Sequence, residues 1–160
     1  MNYTLREIQQ KDNHAVEQVI RSCLIEFNAN HEGTAWTDSN LGCFSEAYNS
    51  PEKKYWVVTD AQGTILGGVG IAPLTGEESI CELQKMYFLP KARGKGIAQQ
   101  LLDLVLNYAK KYYRHCYLET LGNMVGAQKF YEKNGFQRID EAFGQTQHFA
   151  CDIRYIKNLV

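Results

Sequence analysis

Between Ile80 and Glu119 the chain switches periodicity twice, and no other stretch limits its possible folds as much. Ile80 to Leu89 reads as a strand that Pro90 cannot continue, because proline has no N–H to donate to a ladder. Gly94-Lys95-Gly96 then opens a helix whose apolar stripe is predicted to run Ile97, Leu101, Leu104, Val105, Tyr108 and Tyr112. Cys116 to Glu119 follows as a short strand. Strand, helix and strand in one sheet form a right-handed crossover, so these two strands are expected to lie parallel.

The flanking segments predict an antiparallel setting for that pair. Tyr3 to Ile8 reads as an edge strand, and Lys11-Asp12-Asn13 offers a cap for a helix with a stripe of Ala15, Val16, Val19, Ile20, Cys23, Leu24 and Phe27. A short helix is expected over about Leu41 to Tyr48, and strands over Tyr55 to Thr59 and Ile65 to Ala72 build a meander with the strand that starts at Ile80. Met124 to Lys133 reads as a helix closed by Asn134-Gly135, followed by strands at Phe136 to Ile139 and near His148 to Ile156. The order βααβββαβαββ predicts an α/β (α+β) fold: a mixed sheet of about seven strands with about four helices.

Composition removes several classes of function. The 160 residues suit one domain spanning 1–160. Lys plus Arg number 17 against 18 Asp plus Glu, a net charge of -1, which leaves no basic field for a nucleic acid. No apolar stretch approaches a membrane span, and Met1 to Lys11 is too polar for a secretory signal, so a cytoplasmic protein without a membrane partner is expected. The five cysteines (Cys23, Cys43, Cys81, Cys116, Cys151) are scattered without a C-x-x-C pair and read as reduced, mostly buried residues rather than metal ligands. His148 and Cys151 are three positions apart on an expected strand, hence on opposite faces, and no metal site is predicted there.

The glycine turn carries the chemistry. The first N–H groups of a helix lack intrahelical partners and lie at the positive end of its dipole, so an anion fits there, with Arg93 and Lys95 adding charge. A plain connection with a capping role is the structural alternative. The turn resembles the acyl-CoA signature of the GNAT superfamily of N-acetyltransferases, [Q/R]-x-x-G-x-[G/A], here Arg93-x-x-Gly96-x-Ala98. A second block, Leu118-Glu119-Thr120 and then Ala127 to Phe136 with Tyr131, Gly135 and Phe136, is similar to the A-x-x-x-Y-x-x-x-G-F of many GNAT proteins. Asn123 stands one position before the place where many relatives have their asparagine, here Met124, so no role is carried over to it.

The resemblance implies a GNAT-like fold with its parallel pair splayed at the centre, acetyl-CoA as cosubstrate without a metal, and a primary amine as acceptor. It implies that Met86, Tyr87 and Phe88 carry the pantetheine arm on their backbone, with one N–H stabilising the oxyanion, and that Arg93, Gly94, Lys95, Gly96, Ile97 and Ala98 hold the diphosphate. Tyr131 resembles the tyrosine that protonates the departing sulfur, and this match reverses the preference of spacing alone, which favours a core aromatic.

Two carboxylates compete as base. Glu82 lies 11 positions before Arg93 (93 − 82), as in the histone acetyltransferase branch, and Glu119 lies 12 before Tyr131 (131 − 119), as in enzymes that acetylate protein N-termini. Alternation places Glu82 and Gln84 on one strand face and Cys81, Leu83 and Lys85 on the other, so a solvated or ion-paired Glu82 is the alternative. Glu82 is preferred over Glu119, with a water relay as the default route, and no dedicated base is the third alternative. The acceptor pocket is expected to draw on Asn30, His31, Glu32, Thr34, Trp36, Tyr48, Gln145 and Gln147, with Trp36, Glu82 and Glu119 as the principal contacts. A balanced charge favours a small amine such as an amino acid over a protein N-terminus or lysine, a non-catalytic CoA-binding domain is the remaining alternative, and a monomer or homodimer is expected.

Overall fold

The computed structural model describes residues 2–160. Seven strands form one sheet, β1 (Thr4–Glu7), β2 (Lys54–Thr59), β3 (Ile65–Leu74), β4 (Glu77–Phe88), β5 (His115–Thr120), β6 (Gln137–Ile139) and β7 (Ile153–Asn158), in the spatial order β1-β2-β3-β4-β5-β7-β6. The helices are α1 (Asn13–Glu26), α2 (Phe44–Ala47), α3 (Ile97–Ala109) and α4 (Val125–Lys133). All neighbours are antiparallel except β4 and β5, the parallel pair that the crossover through α3 requires.

That parallel pairing is short. It covers Ile80↔His115, Cys81↔Cys116 and Glu82↔Tyr117, after which β4 stays with β3 while β5 leaves with β7. The sheet therefore opens between β4 and β5 beyond Glu82. β4 also carries an extra residue: between Gly68↔Tyr87 and Gly70↔Gln84 it takes three steps (87 − 84) where β3 takes two (70 − 68). The bulge holds Lys85 at φ 54, a left-handed backbone uncommon for a residue with a side chain.

β3 makes room for what supports this bulge. The Tyr55 hydroxyl donates to the Lys85 carbonyl at 2.9 Å, and its ring packs on Phe44 and Tyr48 at centroid distances of 4.9 and 5.3 Å. Gly68 and Gly70 lie beneath these rings, where a Cβ would stand 2.6 Å from the Tyr55 ring and 2.8 Å from those of Tyr48 and Tyr55 respectively. The glycines of β3 thus serve close packing.

The two sheet faces carry separate cores. Tyr55 and Val57 of β2 join α1 through Val16, Ile20, Cys23 and Leu24, whereas Trp56 faces α3 and α4 with Leu101, Leu102, Val105, Tyr131 and Phe136. Each fully buried Leu or Val contributes about 1.5–3 kcal/mol. The α3 stripe differs from its expected membership: Leu102, Leu106 and Ala109 are buried, and Tyr112, beyond the helix end, is 40% exposed. A helix wedged over a sheet buries more than the narrow stripe read from periodicity.

α1 ends where the polar run starts, with Asn28 at φ 55, the Ala29 N–H bonded to the Leu24 carbonyl at 2.7 Å and the Asn28 N–H to that of Ile25 at 3.1 Å. The last strand begins at Ile153, later than expected, and His148 to Asp152 form a loop, so the expected opposition of His148 and Cys151 across a strand does not exist. No helix among the described residues is long and apolar enough to cross a membrane.

Replacing Gly68 by Ala is expected to destabilise the fold by about 1–3 kcal/mol, because the added methyl would lie 2.6 Å from the Trp56 carbonyl as well as from Tyr55. Urea denaturation of the variant against wild type measures it.

Candidate active site

Two clefts meet β4 where it parts from β5, and the bulge divides the residues that line one from those that line the other. Glu82, Gln84 and Lys85 line a polar cleft of about 310 Å³, whereas Met86, Tyr87 and Phe88 line a larger groove of about 530 Å³. Strict alternation had put Lys85 opposite Glu82. The left-handed turn at Lys85 resets the alternation and brings it to the same side.

The groove is completed by the glycine turn and α4. Gly94 and Gly96 have φ of 73° and 77°, and Gly96 caps α3, so the requirement for glycine is conformational. A Cβ at either would meet nothing within 4 Å, which leaves the helix N-terminus open to an incoming group. Ile97 is buried among Val58, Leu66 and Ala92 and can offer only its backbone, and Lys95 is exposed outside the groove lining.

Arg93 is already engaged. Its guanidinium holds both Glu26 oxygens at 2.6 and 2.8 Å and donates twice to the Phe88 carbonyl at 3.1 and 2.8 Å. It ties the turn to α1 and to the end of β4. That fork is a bracing role which Lys could not reproduce.

Tyr131 faces the groove from α4 and is 7% exposed. The Asn134-Gly135 ending explains its setting: Gly135 turns left-handed at φ 84, and the Phe136 N–H caps the carbonyl of Tyr131 itself at 3.1 Å. The Phe136 ring then packs on that of Tyr131 at 5.7 Å, with Phe130 and Tyr155 at 5.8 and 6.1 Å. Burial pushes the phenol's pKa up, so it keeps its proton at neutral pH, and its hydroxyl makes no hydrogen bond among the described residues. A core aromatic and a hydroxyl at the groove are here the same residue.

In the polar cleft the Tyr48 hydroxyl donates to Gln84 Oε1 at 2.7 Å, and Gln84 Nε2 donates to Glu82 Oε1 at 2.5 Å. Burial raises the Glu82 carboxyl above the ordinary glutamate range; the bond from Gln84 opposes this and the field of Glu119 adds to it. Glu119 is differently occupied. It accepts from the Tyr117 hydroxyl at 2.6 Å and from Thr146 Oγ1 at 2.5 Å, with Arg154 Nε at 3.9 Å, and it is absent from the lining of both clefts.

The wall is made by Asp38 to Asn40 and by Gln145 to His148. Asp38 joins them to the floor: Lys85 Nζ lies 2.8 Å from one oxygen, and His148 Nε2 is 2.9 and 3.0 Å from the two. Since an ionised carboxylate only accepts, that imidazole nitrogen carries the proton. Burial alone would raise the Asp38 carboxyl, but the bond from His148 and the charge and bond of Lys85 outweigh it and hold it below the usual range.

Of the expected wall residues, Tyr48, Gln145 and Gln147 line the cleft. Trp36 does not: it packs against the α1 core under the Arg21 guanidinium, 4.7 Å from its ring centre. Thr34 caps the loop by donating to the Ala29 carbonyl at 2.7 Å, and Asn30, His31 and Glu32 stay outside. Asp38, Lys53 and Thr146 were absent from the sequence reading, because lone polar residues outside regular elements carry no periodic signal, while Lys85 was expected on the opposite strand face and His148 was considered only beside Cys151. Among the described residues no group of three or more His, Cys, Asp or Glu is placed to hold a metal ion.

Two clefts sharing one strand suit a transferase, which must bring two substrates together. A family model for the acetyltransferase (GNAT) domain matches residues 51–138. The chain is 42% identical over 158 residues to an uncharacterised N-acetyltransferase of Escherichia coli (strain K12), YjgM, covering 97% of this chain and 94% of that one. Its fold matches an acetyltransferase of the GNAT family from Staphylococcus aureus Mu50 with a TM-score of 0.86 at 23% identity, covering 99% of this chain and 100% of that one. It also matches the PaiA N-acetyltransferase from Thermoplasma acidophilum, solved in complex with coenzyme A, with a TM-score of 0.75 at 20% identity and 99% of each chain covered. The chain belongs to the GNAT family of acetyltransferases.

Replacing Asp38 by Asn leaves the Lys85 ammonium, 9% exposed, without its anion and is expected to cost about 1–3 kcal/mol. A carboxylate with a lowered folded pKa stabilises above its unfolded pKa and loses that contribution as pH falls through the folded value. Denaturation of both proteins across pH should show the gap intact at neutral pH and closing only below the ordinary aspartate range.

Proposed function

We infer that this protein transfers the acetyl group of acetyl-CoA to the primary amine of a small molecule, by direct attack while both substrates are bound. The observation that carries the reading is the division of β4 at its bulge, with a carboxylate of raised pKa facing one cleft and a protonated phenol facing the other. The groove fits the coenzyme: glycines leave the α3 N-terminus uncovered, and beyond Glu82 β4 has no strand on its β5 side, where an amide-bearing arm can lie along it.

Amine attack requires the neutral amine, so a proton must leave the nitrogen and another must reach the sulfur. Glu82 accepts the first, directly or through one water, and its raised pKa brings it nearer to matching the amine. Backbone N–H groups between Met86 and Phe88 hold the carbonyl oxygen as charge gathers on it. Tyr131 delivers the second proton to the departing thiolate. Glu119, spent on Tyr117 and Thr146, acts as a positioning residue for the cleft wall rather than as a base. A cleft of about 310 Å³ suits a small acceptor better than a protein segment.

Glu82→Gln and Tyr131→Phe are each expected to lower kcat by about 10²–10⁴-fold while calorimetry still detects coenzyme binding. In wild type the acid limb of the kcat/KM profile should lie above the ordinary glutamate range, since only the ionised carboxylate acts as base, and it should vanish in Glu82→Gln. Thiol release assays with an amine panel measure both. Unchanged rates in these variants would remove the assigned roles.

A further inference from the structure

Asp38 and Glu82 share the polar cleft with Lys53 and Lys85, but these four charges are not all paired in contact. Asp38 is matched by Lys85 and His148. Glu82 is bonded to Gln84 and, on the reading above, must stay free to take a proton. Lys53 is left over. It lines the same cleft, is half-buried, and among the described residues forms neither an ion pair nor a side-chain hydrogen bond.

Its position is defined. A backbone bridge between Ser50 and Lys53, with N–H···O distances of 3.3 and 3.1 Å, fixes the turn that carries it. Its Nζ lies 5.3 Å from the centre of the Tyr48 ring. Tyr48 connects by hydrogen bonds through Gln84 to Glu82, so the unpaired cation stands over the ring at one end of the row whose other end is the carboxylate. The surroundings are polar side chains with little apolar surface beyond Pro73 and Leu74.

We propose that the acceptor carries an anionic group beside its amine, as an amino acid does, and that Lys53 is the residue that binds this group. The proposal rests on the acetyl-transfer reading of the same site. A half-buried ammonium without a counterion is attracted to a carboxylate far more than a fully solvated one. A polyamine or an uncharged amine would leave that charge uncompensated, and a second cation would be repelled by it. Lys53 is then a specificity-determining residue that sets which amines are held at Glu82.

The test uses α-, β- and γ-amino acids, each paired with its carboxamide, so that amine and side chain are kept and only the negative charge is removed. Wild type should favour the acids by about tenfold or more in kcat/KM, the size of a lost charge-assisted hydrogen bond. Lys53→Met should bring the ratio close to one, mainly through KM, and Lys53→Arg should restore much of it. Carboxamides or polyamines used as well as the acids, or an unchanged ratio in Lys53→Met, would overturn the proposal. Calorimetry of the N-acetyl amino acids and their amides on the CoA-loaded protein separates the two readings. Binding of the anionic ligands to wild type and not to Lys53→Met, without turnover, would leave anion recognition standing and remove the catalytic reading; absence of that selectivity removes the proposal itself.

Discussion

A single hydrogen bond, from the Tyr55 hydroxyl to the Lys85 carbonyl, holds the bulge that divides β4 between the two clefts. A left-handed residue with a side chain costs about 1–3 kcal/mol and persists only where its surroundings fix it. Here they do so through the Phe44, Tyr48 and Tyr55 rings, seated over glycines that permit the approach. Without the bulge, Lys85 would leave the cleft, Asp38 would lose its strongest partner on the floor, and Met86 to Phe88 would no longer turn to the groove. The chemistry of the site is therefore set by packing on the sheet's α1 side.

Electrostatics then assigns roles among similar groups. Glu82 and Glu119 are both carboxylates at the opening, yet one is buried beside an amide and the other accepts from two hydroxyls. The first has its pKa raised by desolvation, and the second is consumed in holding Thr146. Their environments differ where spacing could not tell them apart, and the proposal of Glu82 as base rests on that difference. Arg93 makes the same point. Its place in the glycine-turn motif suggested phosphate, whereas its fork is filled by Glu26 and the Phe88 carbonyl, which secures the turn and leaves the backbone of α3 to meet an anion.

The architecture was legible because it follows from strong local rules. Pro90, the glycines at 94 and 96, and the Asn134-Gly135 stop punctuate the chain without ambiguity, and the crossover between β4 and β5 forces their direction. The bulge at Lys85 was not legible, since nothing in the alternation of Glu82 to Phe88 signals an extra residue, and it alone moved Lys85 to the cleft face. The wall residues failed for another reason. Trp36 looked like a pocket aromatic, but its ring had a nearer apolar surface in α1, and loop side chains such as Asp38 and His148 meet only through folding of segments 110 positions apart.

The cleft wall touches the sheet at two fastenings, Thr146 on Glu119 and Asp38 on Lys85, while the reacting groups sit on regular elements beneath. Substitutions between those anchor points would reshape the opening without disturbing β4 or α4. On the proposed mechanism, recognition and catalysis fall to different parts of the chain, and a lineage could trade one acceptor for another by rewriting its loops while the sheet and helix beneath stayed in place.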